Sequence, residues 1–246
     1  MKSQLIISIG MPRAGSGWHY NLIHDLIVAQ GGKDAREIRS RFHLNRILTE
    51  VNCNIGALTT RRMLLAIIPV FLGNTYVIKA HAGPKPLALS LINRNLVRAT
   101  YIYRDPRDAL LSAYEYGQRG LKQGRPNAFS SLTTIEQAID FMKEYVRISE
   151  AWLTCTKVLD VRYEELLINY NAQVDRLMAF FNLDNKDPKV VSVVEKYCPE
   201  RGEIGQSGTH FVKGKTGRFR QKLSPEFQTL CLEVFGSFIE ARGYIA

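Results

Sequence analysis

Cysteine is scarce in this 246-residue chain, and its four copies are far apart. Cys53, Cys155, Cys198 and Cys231 form no CxxC pair, and no histidine stands beside them at zinc-ligand spacing. A disulfide scaffold and a zinc ribbon are thereby excluded, and the thiols read as the reduced cysteines of a cytoplasmic protein. Long apolar runs are missing too. The longest, Met63–Leu72, is interrupted by Pro69 and falls well below the roughly 20 residues of a membrane span. The first ten residues carry one Lys and an apolar run too short for a signal-peptide core. There is no internal repeat, no low-complexity block and no carboxylate cluster suited to a metal. Export, a membrane partner and a metal are therefore not expected.

Acids are the other shortage. Lys and Arg number 33 against 23 Asp and Glu, a net charge of +10 with a pI near 9.5. Such a balance draws anions, whether nucleic acid, a lipid surface or a phosphorylated cofactor. With 46% hydrophobic residues the chain can bury a substantial core. No linker-like stretch divides it, so one domain over 1–246 is expected.

Short β-branched runs alternate with longer helical patterns, which predicts a parallel sheet covered by helices. Gln4–Gly10, Thr75–Lys79, Arg98–Tyr103 and Lys157–Arg162 read as strands. A helix is expected from Ser16 to Gln30, another behind Pro106, and a last one opened by Ser224 as N-cap with Pro225 at its first position. Tyr116–Thr133 and Pro199–Lys222, rich in turn formers and basic residues, read as surface loops. The five glycines of the second make a fixed conformation entropically costly, so 200–222 is expected to order over a bound anion.

The first strand runs into Gly10-Met11-Pro12-Arg13-Ala14-Gly15-Ser16-Gly17-Trp18. Glycines at a strand-to-helix turn let backbone amides approach an anion, and the helix N-terminus adds a favourable dipole. An ATP-binding loop would place Lys directly after the second glycine. Here Ser16 holds that place and the cation comes earlier, at Arg13. Downstream, Lys79 and His81 close the second strand, where open α/β sheets bind ligands. Arg104 ends the third strand, and Ser112 lies two turns into the helix that follows. Arg107 and Asp108 read as a charge pair at that helix start.

Pro12-Arg13-x-Gly15-Ser16-x-Trp18 resembles the phosphosulfate loop of sulfotransferases that use 3′-phosphoadenosine 5′-phosphosulfate (PAPS). Ile78-Lys79-Ala80-His81 resembles the family segment whose His is the general base, with Lys79 as a helper on the sulfuryl oxygens. Arg104-Asp105-Pro106-x-Asp108-x-x-x-Ser112 resembles the family's 3′-phosphate motif, in which the Arg and the Ser grip that phosphate. Tyr163-Glu164-Glu165-Leu166 resembles the element whose Tyr meets the adenine end. Phe211–Arg220 resembles the late loop that closes over the 3′-phosphate.

The resemblance implies a nucleotide-kinase-like α/β fold and sulfuryl transfer from PAPS to a hydroxyl or amine of a small-molecule acceptor. The product would be 3′-phosphoadenosine 5′-phosphate (PAP). It implies His81, Arg13 and Lys79 as catalytic residues. Donor contacts would come from Arg13, Ala14, Gly15, Ser16, Gly17, Trp18, Arg104, Ser112, Tyr163, Val212, Lys213 and Gly214. Trp18 would stack on adenine. Gly17 stands where the family has a hydroxyl residue, and Val212 where it has an Arg. The acceptor pocket would draw on Arg36–Arg62, His81–Lys85 and the Tyr116–Thr133 loop. An ATP-using kinase and a basic nucleic-acid binder are the rival readings, a member without catalysis is a third, and a homo-oligomer is left open.

Overall fold

The computed structural model describes residues 3–199 and 215–244. Four strands, β1 (Leu5–Gly10), β2 (Tyr76–Ala80), β3 (Val97–Tyr103) and β4 (Val158–Arg162), form one sheet in the order β2-β1-β3-β4. Every pairing is parallel, as short strands joined through helices require. All four strands lie within two residues of where the sequence puts them. β1 is central and buried along its whole length, so it reads as a continuous apolar run rather than an alternation.

Helices cover both faces. They are α1 (Ser16–Ala29), α2 (Ala35–Arg41), α3 (Thr60–Phe71), α4 (Pro86–Asn93), α5 (Pro106–Lys122), α6 (Ile135–Leu153), α7 (Tyr163–Ile168), α8 (Tyr170–Phe181), α9 (Pro188–Tyr197), α10 (Phe219–Lys222) and α11 (Pro225–Ala241). Leu5, Ile7 and Ile9 point into one apolar layer together with residues of α3, α5, α6 and α11. Ile6, Val77, Ile102 and Val161 point into the other, against α1, α8 and α9. The two-residue period of a strand thus splits one sequence run between two cores.

Two expected loops are partly helical. α5 continues to Lys122, through the start of the stretch expected as a loop from Tyr116. Gly117 and Gly120, which read as turn formers, are buried inside the helix. A Cβ on Gly117 would collide with the Phe129 carbonyl, and one on Gly120 would lie 2.8 Å from the Arg125 carbonyl. These glycines let the connection after α5 fold back onto the helix backbone. Farther on, α10 occupies the end of the second expected loop. Residues 200–214 lie outside the described residues, and with them most of the stretch expected to close over an anion.

Ser224 caps α11 as its position suggests, its hydroxyl accepting from the Phe227 amide. The Arg107–Asp108 pair does not form. Arg107 turns back to Asp105, with Nη2 2.9 Å from Oδ2, and its guanidinium lies 4.0 Å over the Phe219 ring. Asp105 is the residue before the helix, so its carboxylate reaches both the Arg107 amide and the Arg107 side chain. That leaves Asp108 for Arg104.

Candidate active site

The carboxyl ends of β1, β2 and β3 open onto a cavity of about 410 Å³. β1 delivers the chain at Gly10, where a Cβ would lie 2.5 Å from Ile102 Cγ2, so glycine lets β1 close up against β3. Met11 N donates to the Ile102 carbonyl, tying the turn to the neighbouring strand. Arg13 (φ 64°) and Gly15 (φ 75°) then adopt left-handed conformations. Gly15 is also the N-cap of α1, and no side chain caps that helix. An uncapped N-terminus facing a cavity leaves amide donors and a positive dipole end for an anion.

Arg13 Nε donates to Ser112 Oγ at 3.2 Å. Its guanidinium lies 4.4 Å from the Tyr116 ring centre and 5.7 Å from that of Phe129. Burial lowers its pKa, with Arg104 and Arg119 adding repulsion. Lys79, at the end of β2, is buried on the same wall, and its pKa falls to about 8 through burial and the nearby Arg13 charge. Three cations, Arg13, Lys79 and Arg104, therefore face one space, and Arg104 alone of them has a carboxylate partner among the described residues.

Arg104 is more tightly held. Its Nη2 donates to Asp108 Oδ2 at 3.2 Å and to the Lys215 carbonyl at 2.8 Å, and its guanidinium lies 4.4 Å over the Tyr163 ring. Its Nε is buried with no partner among the described residues. Asp108 also accepts from the Gly217 amide at 2.7 Å and the Phe219 amide at 3.1 Å. Glu115, two turns farther along α5, pairs with Arg218 at 2.6 Å. Asp108 and Glu115 of α5 thus fasten residues 217–219 beside the cavity, and Arg104 holds the Lys215 carbonyl.

Of the residues expected to meet the donor, Arg13, Gly15, Ser16, Gly17, Trp18, Arg104, Ser112 and Tyr163 share this cavity wall. Ala14 faces the apolar core instead and offers only backbone. Trp18 is 2% exposed; one ring face is stacked on Tyr170 at 6.1 Å, and its indole N–H donates to the Tyr197 carbonyl. Val212, Lys213 and Gly214 lie outside the described residues.

His81 sits one residue beyond β2, off the cavity wall, with Nδ1 2.6 Å from the Gly10 carbonyl. A carbonyl only accepts, so Nδ1 carries the proton and Nε2 is left as the basic nitrogen. Burial and the Lys79 charge lower its pKa to about 4, so the ring is neutral at pH 7. Sequence reasoning missed Tyr20 and Asn21, which follow Ser16 and Gly17 one turn along α1 on the same wall. It also missed Glu115, three residues after Ser112. The helical spacing behind each turn carried that signal.

A three-layer parallel α/β fold with an uncapped first helix and a cluster of cations at the strand ends defines an anion-binding scaffold. The family model for the sulfotransferase domain matches residues 3–228, and the chain belongs to that family. Among solved structures it is similar to mouse sulfotransferase SULT7A1 complexed with PAP, at TM-score 0.64 and 14% identity, over 97% of this chain and 84% of that one. It is also similar to retinol dehydratase in complex with retinol and PAP, at TM-score 0.60 and 14% identity, over 97% and 81% of the two chains. No curated protein sequence matches it. Among the described residues no group of His, Cys, Asp and Glu could hold a metal ion, and no helix is long and apolar enough to cross a membrane.

Proposed function

We propose that this sulfotransferase-family chain uses PAPS as donor and sulfates a hydroxyl or amine of a small-molecule acceptor in the cytoplasm, releasing PAP. The observation that carries the reading is the shared wall on which Arg13, Lys79, Arg104 and Ser112 stand beside the uncapped start of α1, a donor set suited to an anion with two charged ends. The similar structures that hold PAP support the same donor.

The donor presents two anionic ends, and the cavity has two sets of groups for them. The uncapped amides at Gly15–Gly17, with Arg13 and Lys79, would hold the 5′-phosphosulfate. Arg104 and Ser112 would hold the 3′-phosphate, and Trp18 and Tyr163 would border the base. As the acceptor oxygen or nitrogen bonds to sulfur, the bond from sulfur to the bridging oxygen breaks. His81 Nε2 takes the acceptor's proton, and Arg13 stabilises the negative charge left on the 5′-phosphate. Lys79 in its protonated form neutralises the sulfuryl oxygens. Tyr116 and Phe129, on the far side of Arg13, would form the acceptor's apolar wall.

Thermal stabilisation by PAP, 5′-AMP and ATP tests the donor. Saturating PAP at about 100 times its Kd should stabilise the fold by about 2.7 kcal/mol, with far less from the other two. Equal stabilisation by 5′-AMP would remove the 3′-phosphate from the reading. His81→Ala should lower kcat on the order of 10²–10⁴-fold while PAP binding stays unchanged. Full turnover in that variant would dismiss His81 as the base.

A further inference from the structure

Surface helices are apolar on one side, and α3 is apolar on two. Its inner residues Met63, Ala66, Ile67 and Val70 are buried against the sheet side of the fold. On its outer side Leu64, Ile68 and Phe71, with Leu72 at the C-cap, are 52%, 45%, 70% and 66% exposed. These positions fall at i, i+4, i+7 and i+8, a single stripe along the helix. Arg61, exposed three residues before Leu64, extends the stripe with positive charge. Acids are absent around it in the chain: residues 51–104 contain no Asp or Glu and seven Lys or Arg. That stretch includes α4, which packs beside α3 and is flanked by exposed Lys85 and Arg94.

We infer that the outer face of α3 docks this protein on an anionic lipid surface, with the helix lying in the interfacial plane. Twelve residues make a helix about 18 Å long, too short to span and long enough to lie flat. An apolar strip continued by basic side chains is the pattern of an interfacial helix, and anionic headgroups supply counter-charge for the exposed Arg61, Lys85 and Arg94. A second copy of the chain fits less well. Two stripes face to face would bring basic residues together on chains of net charge +10 each. Four partly covered side chains also fall short of the roughly 800 Å² per partner that a stable interface takes. The lack of a spanning segment, which led the sequence reading to expect no membrane, does not bear on surface docking.

Co-sedimentation of the full chain with vesicles tests this without any use of sulfuryl transfer, so it stands or falls apart from the proposed function. Vesicles of phosphatidylcholine alone are compared with vesicles containing about one-third phosphatidylserine. The chain should sediment with the anionic vesicles, on the order of tenfold more strongly than with the neutral ones, and less so as salt rises. The double variant Phe71→Ser/Leu72→Ser, both side chains being exposed, should keep the thermal midpoint and lose on the order of tenfold in vesicle binding. Arg61→Glu should weaken binding to the anionic vesicles alone. Absence of binding to either vesicle overturns the inference, as does binding that both variants leave intact. A dimer in light scattering that the double variant makes monomeric, without vesicle binding, would reassign the face to self-association.

Discussion

The turns that leave β1 and β3 stand side by side in the sheet and solve the same problem in opposite ways. After β1, α1 starts on a left-handed glycine with no side-chain cap and no acid in its first turn. After β3, α5 starts on Asp105, which caps the Arg107 amide, followed by Pro106 and by Asp108 in the first turn. One helix start leaves its donors and its dipole uncompensated, and the other satisfies both internally. In the proposed reading the first turn therefore binds through its backbone, whereas the second binds through side chains, Arg104 and Ser112. Backbone amides recognise any phosphate-like group. Two placed side chains can recognise one particular phosphate.

Gly15→Ala should break the first turn outright. The new Cβ would lie 2.6 Å from Tyr163 Cδ2 at a backbone φ of 75°, so both sterics and conformation oppose it. Calorimetric titration should show PAP and 5′-AMP losing affinity alike, on the order of 100-fold, because the 5′ end is common to both. Unchanged affinity would mean that the Gly15 turn does not hold the nucleotide.

Arg104→Ala probes the second turn and should be selective. PAP should weaken by about 1.5–3 kcal/mol, the scale of a hydrogen bond to a charged group, and 5′-AMP by much less. Equal losses would make Arg104 structural, a strut between Asp108 and the Lys215 carbonyl.

Proton titration should sharpen the contrast further, because Lys79 and His81 both border the first turn. With the Lys79 pKa near 8, turnover should fall as pH rises through that value, if its charge serves the sulfuryl oxygens. A rate profile flat to pH 9 would exclude that role. A further effect is on stability. His81 has a folded pKa of about 4 against an ordinary 6.5, so the unfolded chain binds more protons between those values. Stability should hold above pH 6.5 and decline as pH falls towards 4. His19, buried beside Ser8 with a pKa near 3, adds to the same decline. His81→Asn should make the slope shallower, and a slope identical to that of the parent chain would place the acid sensitivity elsewhere.

The strands were legible because each is a short run rich in β-branched or aromatic residues bounded by turn formers, a local property that survives folding unchanged. Both site turns were legible because Gly10, Gly15, Arg104 and Pro106 announce their geometry within a few residues. The errors have one physical source, namely long-range contact. Gly117 and Gly120 look like turn formers until Phe129 and Arg125 are seen pressing on the helix they belong to. Arg107 and Asp108 look like partners until Asp105, Phe219 and Arg104 compete for them. Glu115 acquires its role only when Arg218, far along the chain, arrives beside it.

Those two glycines also constrain how the proposed acceptor wall can change over evolutionary time. Where side chains separate two segments, a smaller or larger residue lets one segment slide relative to the other. Between α5 and residues 125–129 there is no such layer, because the later segment rests directly on the helix. Tyr116 and Phe129, which flank Arg13 from these two segments, are consequently mounted on one welded frame. New acceptors can be admitted by exchanging those rings for other side chains. Lengthening the connection between Lys122 and Arg125 would only grow a spur outside the pocket.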